Sequence, residues 1–125
     1  MADAIILFAH GSRDPEWAAP LRALRGTVAA RCPEAQVLLA FLELMQPDLS
    51  AAIVQAATGG ARTVNLVPVF LAAGAHLKQD LPRLVEAACA AHPQLRVRVL
   101  PPLGESEAVQ EALADWIVQE SKDRV

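Results

Sequence analysis

Ile5-Ile6-Leu7-Phe8-Ala9 is an unbroken apolar run that stops at His10-Gly11-Ser12-Arg13. Such a run predicts a strand buried on both faces, with polar residues delivered at its carboxyl end. Val37 to Leu42 is another continuous apolar run, and it stops at Glu43. Thr63 to Val67 is a third strand. Pro68 follows it and cannot donate a ladder hydrogen bond, so regular pairing should weaken there. Residues 69–76 then read as an extended exit from the sheet, ending in a loop that contains Gly74 and carries His76. Leu95 to Leu100 alternates instead. Leu95, Val97 and Val99 stand against Arg96, Arg98 and Leu100, a pattern that suits an edge strand with one solvated side.

Between these runs the apolar period lengthens to that of a helix. Trp17, Leu21, Leu24 and Val28 share one face. Pro20 fits only a first turn, so the regular helix should begin near it, with Pro15–Ala19 as a lead-in and Cys32-Pro33 as the stop. Leu49, Ala52, Ile53 and Ala56 form a second stripe, closed by Gly59-Gly60. A third helix is expected from about Leu81 to Ala91, with Leu81, Leu84, Val85 and Ala88 inward and Pro82 in its first turn. The last runs from about Glu105 to Glu120, with Val109, Leu113 and Trp116 on one stripe and Ala112 and Ile117 beside it. Strand followed by helix, four times over, implies an α/β fold: one three-layer domain spanning 1–125, with a four-stranded parallel sheet and right-handed crossovers. Buried first and third strands and an edge-like fourth favour the order 2-1-3-4. The chain reverses direction between strands 1 and 3, where open α/β sheets place their ligands.

Composition narrows the class. The chain has 125 residues, 54% hydrophobic and 20% charged, enough to bury a core without metal or disulfide. Its net charge of −3 argues against nucleic acid as a partner. The first apolar run is too short for a signal peptide or a membrane span, so a cytoplasmic location and no membrane partner are expected. Cys32 and Cys89 each end a helical pattern and form no CxxC pair, so they read as buried thiols.

The topology would bring His10, after strand 1, and His76, after strand 3, to one place, with Glu43 beside them on strand 2. Imidazole binds borderline divalent metals and accepts protons near neutral pH. Glu43 serves equally well as a solvated loop residue or as a site carboxylate. Ser12, Arg13, Lys78 and Arg83 lie near the same edge, either as ordinary surface polarity or as donors to an anionic substrate. Gly11 and Gly74 either admit a ligand close to the backbone or make tight turns. His92, at a helix end, reads as structural.

The residues Ala9-His10-Gly11-Ser12-Arg13, Phe41-Leu42-Glu43 with Pro47, and Val67-Pro68-Val69-Phe70-Leu71 through Gly74-Ala75-His76 to Asp80-Leu81-Pro82 carry a pattern. In them the sequence resembles the short form of the sirohydrochlorin cobaltochelatase family, the small class II chelatases. The match spans most of the chain. The resemblance implies a chelatase-like fold and ATP-independent insertion of a divalent metal into an anionic, partly reduced tetrapyrrole of the cobalamin and sirohaem routes. Cobalt is the expected metal, with nickel or iron as alternatives, and the metal is a substrate. No organic cofactor is implied. His10 and His76 would be the metal-binding and catalytic pair, assisted by Glu43, with Gly11, Ser12, Arg13, Gly74, Lys78 and Arg83 toward the substrate. Long members of the family hold two such domains, so a single-domain chain is expected to form a homodimer.

Two other functions fit parts of the pattern. A non-catalytic carrier of metal or tetrapyrrole would use the same residues. Phosphoryl transfer through a phosphohistidine would want an arginine immediately before the histidine, and Ala9 stands there.

Overall fold

The computed structural model describes residues 1–122, so the last three residues of the expected 1–125 domain lie outside the described part. Its strands are β1 (Ala4–Ala9), β2 (Gln36–Phe41), β3 (Thr63–Pro68) and β4 (Arg96–Val99). All pair in parallel, in the order β2-β1-β3-β4. That is the expected order, and the burial pattern is its cause. β1 is buried at five of its six positions and pairs on both edges. β4, with the pattern Arg-Val-Arg-Val, has no buried residue and sits at the edge. β3 ends at Pro68, as its missing N–H requires, although Val69 N still donates to Phe8 O at 2.8 Å.

The helices are α1 (Ala19–Arg31), α2 (Leu49–Thr58), α3 (Ala75–Cys89) and α4 (Glu107–Lys122). A 3-10 turn, Pro15–Ala18, precedes α1, and Pro20 lies in the first turn of that helix. Asp48 caps α2: its Oδ1 accepts from Ala51 N at 2.8 Å. Leu49, Ala52, Ile53 and Ala56, the expected stripe, are all buried against Ile6, Phe8 and Leu66 of the sheet. Burial of Ile53 alone contributes about 2 kcal/mol. Leu81 and Ala88 of α3 join the same core, while Leu21 of α1 packs in a smaller cluster with Ala9, Ala18 and Phe41. Cys32 and Cys89 are free and half-buried, and burial pushes the Cys89 thiol upward.

Two expectations need correction. The third helix starts six residues before Leu81, at Ala75, and Pro82 lies inside it. Gly74 is its N-cap residue in extended conformation, and Lys78 N closes the first turn on Gly74 O at 3.0 Å. His76 therefore sits in the first turn of a helix and not in a loop. The second correction concerns α4, which begins at Glu107 after a 3-10 turn at Leu103–Glu105 and packs mainly against that turn. Its stripe is uncovered: Trp116 is 64% exposed and Ile117 54%. Among the described residues, no helix is long and apolar enough to cross a membrane.

Asp3 ties the amino-terminal edge of the sheet together. Its Oδ2 accepts from Arg62 N at 2.9 Å and Thr63 N at 3.3 Å, and its backbone carbonyl accepts from Gln36 N. The two backbone donors hold its carboxyl below the ordinary carboxylate value of 3.8. A carboxyl lowered in the folded state stabilises above its unfolded value, and that contribution is lost as pH falls through the folded one. Asp3→Asn should therefore lower Tm at pH 7, and the deficit should close as the pH drops below 3.8, in thermal melts followed by circular dichroism.

Candidate functional site

The carboxyl edge of the sheet is built by three strand exits. His10 leaves β1 directly and is exposed. The β1–β2 ladder runs on past the strands: Leu42 N donates to Ala9 O at 2.8 Å and Glu43 N to His10 O at 3.0 Å. Gly11 lies at φ +101°, and a Cβ there would overlap the Glu43 carbonyl oxygen. Glycine is thus required both by the backbone angle and by the close approach of the β2 exit. This clasp brings His10, Gly11 and Glu43 together through their backbones.

Phe70, leaving β3, supplies the third wall. The His10 imidazole lies 4.5 Å, centroid to centroid, from the Phe70 ring, at an interplanar angle of 42°. Phe70 is only 5% exposed and meets Phe8 edge-on at 6.1 Å and 71°. A row of three rings, Phe8–Phe70–His10, therefore runs from the core to the surface. Ring pairs of this kind contribute about 1 kcal/mol beyond area burial. Phe70 was not among the expected site residues. In sequence it is one apolar residue among several after Pro68, and its spacing from Pro68 gives no sign of the ring it meets.

The remaining residues divide around α3. His76 lines a cavity of about 600 Å³ with Leu42, Asp80 and Arg83. Lys78 lines another of about 410 Å³, with Phe70, Pro68 and Pro102 among its apolar walls. Leu77 belongs to both cavities. Lys78 and Arg83 do not share a cavity, because five helical residues turn them to different sides of α3. Arg13 is exposed beside the clasp. Ser12 Oγ accepts from Asp14 N at 3.0 Å and Asp14 Oδ1 from Glu16 N at 3.0 Å, so the Ser12 oxygen helps shape the turn into α1. Gly74 has an ordinary φ of −68° and nothing within 4 Å of a Cβ position, so neither crowding nor backbone angle demands a glycine there. His92 belongs to a backbone turn, where its carbonyl accepts from Leu95 N at 3.0 Å. Among the described residues, no three His, Cys, Asp or Glu side chains stand together as a ready metal cluster.

Residues 4–120 match the family model CbiX. The chain belongs to the CbiX family. This CbiX-family chain is 34% identical over 82 residues to the sirohydrochlorin cobaltochelatase of Methanopyrus kandleri, 66% of this chain and 57% of that protein. It is 29% identical to the sirohydrochlorin ferrochelatase of Bacillus subtilis, covering 90% of this chain but 43% of that one. The chain thus spans about half the length of these two curated relatives. The cobaltochelatase of Sulfurisphaera tokodaii is 29% identical and is matched over 89% of its length. Among solved structures, a CbiX protein from Marinobacter aquaeolei superposes with a TM-score of 0.85 at 30% identity, over 97% of this chain and 98% of the other. SirB of Bacillus subtilis, solved with Fe3+, gives 0.78 at 27% identity over 92% of this chain and 46% of SirB.

Two substitutions test the local geometry. Gly11→Ala should lower stability by about 3 kcal/mol in denaturant titrations, through the left-handed backbone and the overlap with Glu43. Phe70→Leu should cost only about 1–2 kcal/mol. In its 1H NMR spectrum the His10 ring protons should lose the ring-current displacement imposed by the neighbouring Phe70 ring.

Proposed function

We propose that this chain is a metal chelatase that inserts a divalent metal into sirohydrochlorin or a closely related tetrapyrrole. The observation that carries the reading is His10, held at the tip of the central strand between the Glu43 backbone and the Phe70 ring, in a chain whose CbiX-family relatives are named sirohydrochlorin chelatases. The relatives' names include both cobalt and iron. Imidazole ligands do not choose between cobalt, nickel and iron, so Co2+ is our first choice by resemblance and not by ligand chemistry.

Metallation must remove two pyrrole protons and then exchange ligands on the metal. In our reading His10 and His76 hold the incoming metal as neutral imidazoles, and as the ring takes the metal one freed imidazole and the Glu43 carboxylate each take up one of the two pyrrole protons. A pair of imidazoles leaves coordination positions open, which suits a site that must give its metal away. Lys78 and Arg83 line different cavities beside this edge and, with the exposed Arg13, would meet different peripheral carboxylates of one large anion. Gly11 and Ser12 shape the loop that presents His10.

We further propose that the working form is a homodimer. The uncovered stripe Leu113, Trp116 and Ile117 of α4 supports it. A contiguous apolar helix face of this kind is ordinarily covered in a stable assembly.

The decisive measurement is an absorbance time course with sirohydrochlorin and Co2+, Ni2+ or Fe2+ in turn, the uncatalysed rate subtracted. Multiple turnovers are expected, and His10→Ala and His76→Ala should each slow them by about 100-fold or more. Binding of both ligands without turnover would make the protein a carrier. Histidine variants within twofold of the parent rate would remove both residues from the mechanism.

A further inference from the structure

The loop after β2 is stretched over an unusual residue. Phe41 N donates to Pro47 O at 2.9 Å and closes residues 42–47 into a compact excursion. At its tip Met45 N donates to Glu43 O at 2.8 Å, making a three-residue turn centred on Leu44. Leu44 lies at φ +67°, the sole positive φ outside glycine among the described residues. Leucine is poorly suited to that region, whereas Gly, Asn or Asp would sit there with little penalty. The side chain gains little packing in return, since Leu44 is 57% exposed. A residue that carries both a backbone penalty and a solvated apolar surface points to a use outside the fold.

A second leucine occupies the matching place on the other side. Leu44 is three residues beyond the end of β2 and Leu71 three beyond the end of β3. In the order β2-β1-β3 these exits flank that of β1, where His10 stands. Leu71 is 68% exposed, although its backbone is locked. Gly104 packs directly on it, where a Cβ would overlap the Leu71 main chain, and Gly104 N donates to Phe70 O at 3.0 Å. One leucine is held up by a strained turn and the other by a glycine contact. Two solvated apolar side chains on rigid backbone, one on each side of an exposed histidine, form a frame for a flat apolar ligand.

We infer that Leu44 and Leu71 are substrate-contact residues that flank His10 and meet the apolar face of the bound tetrapyrrole. The inference rests on the chelatase reading and extends it. The cationic side chains address the carboxylates at the rim of the ring, and these leucines address the macrocycle itself. Burying a leucine against a ring is worth roughly tenfold in affinity.

The test is a titration of metal-free sirohydrochlorin into the parent protein and into Leu44→Asn, Leu71→Asn and Val54→Asn, with thermal melts and sedimentation on each. Val54, on α2, is 49% exposed and controls for an added polar group. Both leucine variants should bind about tenfold more weakly, with Val54→Asn unchanged. Leu44→Asn should also raise Tm by about 3 °C through relief of its backbone angle. Gain of stability with loss of affinity is a split that a merely structural leucine would not produce. Unchanged Kd in the leucine variants, beside a parent that binds, would overturn the inference alone. A change of sedimentation with unchanged Kd would also overturn it and assign the leucines to contact between copies. A parent protein that fails to bind sirohydrochlorin would overturn the chelatase reading and this inference together.

Discussion

Everything in this molecule hangs on β1 being satisfied on both edges and both faces. Its backbone pairs with β2 and β3, and its side chains Ile6, Leu7, Phe8 and Ala9 are all buried. A strand so enclosed has no freedom of register, because a one-residue slip would exchange its faces. The residue that follows it is therefore placed with the accuracy of the core. His10 inherits that placement. Glu43 and Phe70 then approach it from either side because β2 and β3 are bound to the same strand.

The site is made from backbone before it is made from side chains. The hydrogen bond from Glu43 N to His10 O and the close fit of Gly11 under the Glu43 carbonyl fix the relation of two strand exits. Phe70 fixes the third through its tilted ring contact with His10. α3 then divides the surroundings in two, with His76 and Arg83 on one side and Lys78 on the other. Such a division suits a ligand larger than either cavity, carrying charge around its perimeter.

Sheet order was legible from two strands: the wholly apolar β1 lies in the middle and the Arg-Val alternation of β4 at the edge. β2 is also an apolar run, yet it forms the other edge with three of its six residues buried. The start of α3 was not legible. Pro82 looks like a first-turn proline, and the true N-cap, Gly74, offers no side-chain hydrogen bond to mark it. That one misplaced boundary had a chemical consequence, since it put His76 in a loop and left Lys78 and Arg83 free to converge. The place of His10 at the exit of β1 was readable, whereas the ring contact of Phe70 and the backbone angle of Leu44 were not. A tilted ring contact and a positive φ at leucine arise from tertiary placement, and neither has a local signature. The periodicity of α4 correctly announced an apolar face, but periodicity says nothing of what that face meets.

The row of rings from Phe8 through Phe70 to His10 blurs the usual line between core and site. Phe8 is wholly buried and touches no solvent, yet it is two aromatic contacts from an exposed imidazole. A change of its ring size would be transmitted sideways through a rigid neighbour and not absorbed by soft aliphatic packing. In a mutational survey scored on activity alone, Phe8 would pass for a site residue. Scored on expression alone, it would pass for ordinary core. Natural variation at this position should therefore be narrower than burial by itself would set.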